Sequence, residues 1–188
     1  MNNSPQQLSN VAKCYLLRFY EILDEMIKNM TGAELTGSIS HNFIVQMIPH
    51  HMAAIEMSRN LLQYTTFIPL QNIAENIIKE QTESINNMLR ILENCGKLEN
   101  TSGDLCLYQR RFEQITQTMF SEMGNAPAGN ELNENFMREM IPHHCGAIRM
   151  SENALRFNIC PGLVPILRAI ITSQRAGVRE MERLLQCF

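Results

Sequence analysis

Apolar positions in this chain recur at helical spacing. Near the start they fall at Leu16, Phe19, Ile22, Leu23, Met26 and Ile27, the signature of one buried helix face. This predicts a first helix over about Gln7 to Met30, ended by Thr31-Gly32, with a loop to Ser40. A second helix, from about Ser40 to Tyr64, carries Phe43, Met47, His50, Ala54, Met57 and Leu61 at 4-3-4-3-4 spacing, a single stripe aimed at partner helices. Thr65-Thr66 supplies a cap for a third helix, with Pro69 near its start and Gly96 as its C-cap. The seam of that helix is Ala74, Ile78, Gln81, Ile85, Met88 and Leu92. No stretch alternates with period two and β-branched enrichment, so no sheet is predicted.

The whole pattern then returns, displaced by 93 residues without a gap. Tyr15 pairs with Tyr108, Phe19 with Phe112, Met26 with Met119, Ile73 with Ile166, Gln81 with Gln174 and Met88 with Met181. Such self-similarity marks two copies of one supersecondary unit. The second copy predicts helices over about Asp104 to Met123, Glu131 to Phe157, and from Cys160-Pro161-Gly162 to near Cys187. The expected fold is all-α. Residues 1–96 and 104–188 form two tandem three-helix repeats related by a pseudo-twofold axis, joined by a polar linker at 97–103 and packed as one compact domain.

Within the repeat, Met47-Ile48-Pro49-His50-His51 returns as Met140-Ile141-Pro142-His143-His144, which accounts for four of the five histidines. The stripe puts His50 and His143 in the middle of apolar seams, since the second copy reads Phe136, Met140, His143, Ala147, Met150 and Ala154. His51 and His144 lie about 100° round the helix, in a flanking row with Ile44, Ile48, Ile55 and Leu62 in the first copy. A proline inside a helix lacks an N–H and clashes with the carbonyl four residues back. The stripe runs on through Pro49 and Pro142, so a kink is predicted, freeing a carbonyl beside the histidines. Gln81 and Gln174 interrupt the third-helix seams at matching places. A buried amide without a partner costs about 1–3 kcal/mol. Both are therefore predicted to orient motif ring nitrogens, either from behind a bound metal or inside a metal-free network.

Composition narrows the function classes. The 188 residues are 45% hydrophobic and 19% charged, as in an ordinary globular protein. A net charge of −3 with scattered Lys and Arg lacks the concentrated basic face that nucleic acid needs. No apolar run approaches the ~20 residues that span a bilayer. The stretch Met1 to Gln7 has no basic segment leading into an apolar one, so a cytoplasmic protein is expected. Six cysteines without a CxxC pair or dense framework read as free thiols, some buried. The helices preceding each motif helix either cover the core or offer a face for a homo-oligomer.

Phe-x-x-x-Met-Ile-Pro-His-His, then Ala-Ile-x-Met, then Gln-x-x-x-Ile/Val-x-x-Met in the next helix, resembles the ferritin-like bacterial family called domain of unknown function 305. Here the pattern runs through Phe43 to Met57 with Gln81, Ile85 and Met88, and through Phe136 to Met150 with Gln174, Val178 and Met181. The resemblance implies a four-helix-bundle core and, from members associated with copper binding and tolerance, a copper ion. Its ligands would be Met47, His50, His51 and Met57, with Met140, His143, His144 and Met150. The chain departs from the pattern in pairing Met52 with Cys145, and in lacking the export signal that copper-handling members typically carry.

The residues themselves point the same way. A di-iron centre needs Glu-x-x-His on bundle helices, and both copies have Met-x-x-His instead. Thioether and imidazole together favour Cu(I) over harder ions, with zinc on the four histidines as the alternative. The competing expectation is a structural or assembly protein whose histidines form a buried hydrogen-bond network without metal. No nucleophile stands at matching places in both copies, which leaves little support for an enzyme.

Overall fold

A computed structural model describes residues 7–188, so all but the last residue of the N-terminal stretch read for a leader lies outside the described residues. Among the described residues six helices follow one another: α1 (Asn10–Thr31), α2 (Ile39–Leu62), α3 (Ile68–Cys95), α4 (Ser102–Gly124), α5 (Leu132–Ala154) and α6 (Leu163–Leu185). The described residues contain no strand and no helix long and apolar enough to cross a membrane.

Side-chain caps set several of the helix starts. The Ser9 hydroxyl accepts from the Ala12 N–H, Ser38 from His41 and Thr101 from Asp104, each satisfying a donor that the first turn leaves free. Thr101 therefore starts α4 inside the expected linker. Thr65 does not cap α3. Its hydroxyl accepts from the Phe67 N–H and its carbonyl from the Gln71 side chain, so it braces the turn, and Pro69 sits in the first turn of the helix. Both motif helices stop short of the predicted ends, at Leu62 and Ala154. Neither proline breaks its helix, and α2 and α5 run continuously through Pro49 and Pro142.

Helix α2 packs against α1, α3 and α5, and α5 packs against α4, α6 and α2, while α3 meets α6. The two central stripes are buried throughout: Phe43, Met47, His50, Ala54, Met57 and Leu61 on α2, and Phe136, Met140, His143, Ala147, Met150 and Ala154 on α5. The α3 and α6 seams are less covered, with Ile78, Ile85, Ile171 and Val178 half-buried. Residues 93 apart often make the same contact. The Asn60 amide donates to the Tyr15 carbonyl and that of Asn153 to Tyr108, both at 3.1 Å. Asn42 brackets Thr36 with a donated and an accepted bond, as Asn135 brackets Gly129.

One difference between the halves is steric. Ala53 is buried beside the first motif, but its counterpart is Gly146, where an added Cβ would lie 2.1 Å from Met119 Sδ and 2.9 Å from its Cγ. Met119 is fully buried and has little room to retreat. Gly146→Ala is therefore expected to destabilise the protein by about 1–3 kcal/mol, the usual range for overpacking. Urea unfolding reads this directly, and an unchanged midpoint would mean that Met119 repacks freely.

The cysteines depart from expectation. Cys95, at the end of α3, is disulfide-bonded to Cys160 in the turn before α6, with Cα atoms 5.2 Å apart. The other four are free thiols, but none is fully buried: Cys14, Cys106 and Cys187 are exposed and Cys145 is half-buried. The link was invisible in the spacing because it joins positions that are not counterparts in the repeat. Disulfides persist in oxidising compartments, so this bond pulls against the cytoplasmic expectation.

Candidate functional site

The four motif histidines meet in the interior, where α2 crosses α5. His50 and His143 are fully buried and stack with ring centroids 3.7 Å apart and planes 27° from parallel. Each Nε2 points at the backbone carbonyl of the other residue, at 3.2 Å for His50 and 3.1 Å for His143. A carbonyl only accepts. Both Nε2 atoms therefore carry the proton, and each Nδ1 keeps its lone pair. The carbonyls used belong to the histidines themselves, not to the residues four before each proline.

His51 and His144 flank this pair, each 5.9 Å from its neighbour on the same helix, centroid to centroid. Their surroundings differ. His51 Nε2 lies 3.1 Å from the Ser84 hydroxyl. The counterpart of Ser84 is Gly177, and a Cβ there would come within 3.0 Å of the His144 ring. The glycine lets α6 approach the imidazole directly. Ser84 carried no signal in the sequence, since its counterpart differs.

The buried Nδ1 atoms of His50, His51, His143 and His144 all lack a hydrogen-bond partner. Burial dominates their titration by disfavouring the charged ring. It holds His50 well below the usual histidine range, helped by repulsion from His143, His51 and His144. His51 is lowered to about 3 by burial and then by His143, and His143 to about 4 by burial against the opposing pull of the His50 carbonyl. His144 is also held well below its ordinary value, by burial first and then by His143 and His51. At neutral pH the site presents four uncharged imidazoles.

Met47, Met57, Met140 and Met150 are buried on the same two stripes. Gln81 and Gln174 are buried too, but neither bonds a motif histidine. Both amide atoms of Gln81 and the Oε1 of Gln174 are without partners. They line a groove of about 210 Å³ between α3 and α6 that also reaches His51 and Ser84. Among the described residues, no group of three or more His, Cys, Asp or Glu side chains is arranged to hold a metal. Half-buried Cys145 has its thiol pushed up by burial, with Arg149 pulling the other way, which disfavours the nucleophilic thiolate.

Glu139 precedes the second motif, and its carboxylate is buried against α1. The Tyr15 hydroxyl donates to Oε2 at 2.7 Å. Burial pushes the Glu139 carboxyl up to about 8, against the lowering effect of that hydrogen bond. The counterparts Tyr108 and Gln46 form no such pair: the Tyr108 hydroxyl and the Gln46 Oε1 are unpartnered. The Gln46/Glu139 difference is plain in the sequence, but nothing there places Tyr15 beside it.

The family described as domain of unknown function (DUF305) matches residues 23–92 and 40–185. Among solved structures, the chain is similar to a crystal structure of a DUF305 fragment from Deinococcus radiodurans. The TM-score is 0.59 at 24% identity, covering 80% of this chain and 97% of that one. At that identity the likeness concerns the fold. No curated protein matches the chain.

Proposed function

The chain belongs to the domain of unknown function 305 family, and within it we propose a protein that binds a soft monovalent cation, Cu(I), in the interior between α2 and α5. The carrying observation is the set of four buried, neutral imidazoles whose Nδ1 atoms have no partner, with a free lone pair fixed on His50 and His143 by their Nε2–carbonyl bonds. An unmet buried acceptor costs about 1–3 kcal/mol, and a bound cation would relieve that cost. One ion would take His50 and His143 with the thioethers of Met47 and Met140, one helical turn away on the same stripes, while His51, His144, Met57 and Met150 would serve a second ion or the surrounding core. Neutral imidazole is the ligating form, and sulfur with nitrogen suits Cu(I). Zinc sites close four N, S or O ligands around the ion. A four-histidine zinc site is the alternative reading, and the methionines beside the histidines are what favour copper.

The same proposal extends to the architecture: a ferritin-like four-helix core of α2, α3, α5 and α6, built from two tandem three-helix repeats. Its support is the recurrence of contacts 93 residues apart, above all the reciprocal His50–His143 bonds. Gln81 and Gln174 are assigned to the groove leading to His51.

A specific observation also favours a structural role. The reciprocal bonds between rings and carbonyls tie α2 to α5 without any metal. Titrating anaerobic Cu(I) against a competing chelator separates the two. Metal binding predicts that His50→Ala with His143→Ala weakens affinity by at least about tenfold, about 1.4 kcal/mol. Met47→Leu with Met140→Leu, which keeps core volume, should weaken it while leaving the metal-free melting temperature nearly unchanged. Unchanged affinity in both double variants overturns the proposal. A purely structural role predicts a melting temperature unmoved by Cu(I) and lowered by either single histidine change.

A further inference from the structure

A groove of about 340 Å³ lies between α4 and α5, lined by Arg111, Gln114, Thr118, Arg149, Asn153 and Arg156 among others. None of the three arginines forms an ion pair among the described residues. The one carboxylate in the groove, Glu152, is taken by Arg175.

The positions 93 residues earlier show what this helix pair looks like when neutralised. Arg111 corresponds to Arg18, Gln114 to Glu21, Thr118 to Glu25, Arg149 to Glu56, Glu152 to Arg59 and Arg156 to Gln63. On α1 and α2 both guanidinium groups are matched: Arg18 pairs with Glu21 and Glu56, and Arg59 pairs with Glu56. Arg18 and Arg111 are the same residue type, and four of the five exchanges make the α4–α5 groove more positive. Only Arg59 against Glu152 runs the other way, and Arg175 cancels it.

The groove also holds a buried acceptor. Asn153 is 3% exposed, and its Nδ2 donates to the Tyr108 carbonyl, which fixes the amide orientation. Its Oδ1 is therefore the free end, and it has no partner. Guanidinium groups recognise phosphate by paired, charge-assisted hydrogen bonds. A phosphate monoester carries about −1.5 to −2 charge at pH 7 and three terminal oxygens. A hydroxyl on the same molecule would supply the donor that Asn153 lacks. Small-ligand pockets start at about 300 Å³.

We propose that the α4–α5 groove binds a small hydroxyl-bearing phosphate monoester, held by Arg111, Arg149 and Arg156 with its hydroxyl on Asn153. The site is independent of the histidine interior.

The test is calorimetric titration of the full chain at low ionic strength with glycerol 3-phosphate, inorganic phosphate and glycerol. Glycerol 3-phosphate is expected to bind and to weaken as salt is added. Arg149→Glu with Arg156→Gln installs the residues found at 56 and 63. Both positions are exposed, and circular dichroism checks that the variant folds. The variant should bind at least about tenfold more weakly, the scale of one lost charge-assisted contact. Absence of binding at millimolar ester, or equal affinity in the variant, overturns the proposal. Inorganic phosphate bound as tightly as the ester overturns the assigned hydroxyl contact.

Discussion

Metal-free protein moved from pH 7 to pH 5 is expected to lose about 5 kcal/mol of stability, a large share of the roughly 5–15 kcal/mol typical of a domain. The four motif histidines drive the loss. Their folded pKa values lie below the unfolded value, with burial as the main cause. Below about pH 6.5 the unfolded chain therefore binds protons that the folded chain refuses. The stabilisation is complete above that pH and disappears as pH falls. Each histidine loses about 2 kcal/mol by pH 5 if its folded form stays neutral.

Glu139 acts in the opposite sense. Its folded value is raised to about 8 by burial, so its contribution is full at acid pH and declines as pH rises from the unfolded carboxylate range toward 8. Between pH 7 and 5 it returns about 2–3 kcal/mol. Urea unfolding of chelator-treated protein at pH 5, 6, 7 and 8 measures the slope. Glu139→Gln, which copies Gln46, should remove the opposing component and deepen the acid loss to about 8 kcal/mol. A stability that stays level from pH 7 to 5 in the metal-free protein would refute the buried neutral state of the four rings.

Reduction of Cys95–Cys160 is the second large expectation. The bond closes a chain segment with a sequence separation of 65. Loop-closure entropy for that length gives about 4 kcal/mol of stabilisation. The repeat provides a control. The counterparts of Cys160 and Cys95 are Phe67 and Phe188, whose rings meet edge to face at 5.5 Å. One end of the molecule is closed covalently and the other by an aromatic contact, worth about 0.5–1.5 kcal/mol beyond its burial. Reductant is thus expected to lower the unfolding free energy of the native protein by about 4 kcal/mol. The Cys95→Ser, Cys160→Ser variant should start lower and ignore reductant, because the remaining thiols are already free. A native unfolding curve unmoved by reductant would sink this.

What the sequence determined is local and periodic. A 3.6-residue repeat of apolar positions suffices to say that six helices form, and that His50 and His143 sit on buried seams. The 93-residue offset foretold that corresponding residues would share environments, as Asn60 and Asn153 do. Caps at Ser9 and Thr101 moved boundaries by a few residues, because a single hydroxyl decides where a helix starts. The tertiary structure alone decided everything that depends on which face meets which. Helical spacing gives the direction of a side chain but not its neighbour. That each Nε2 meets the other histidine's carbonyl, that Gln81 is left without a partner, that Tyr15 finds Glu139, and that Cys95 finds Cys160 are all outcomes of packing between helices far apart in the chain. Buried polar groups are settled by the partner within about 3 Å, and no pattern along one strand of sequence records that distance.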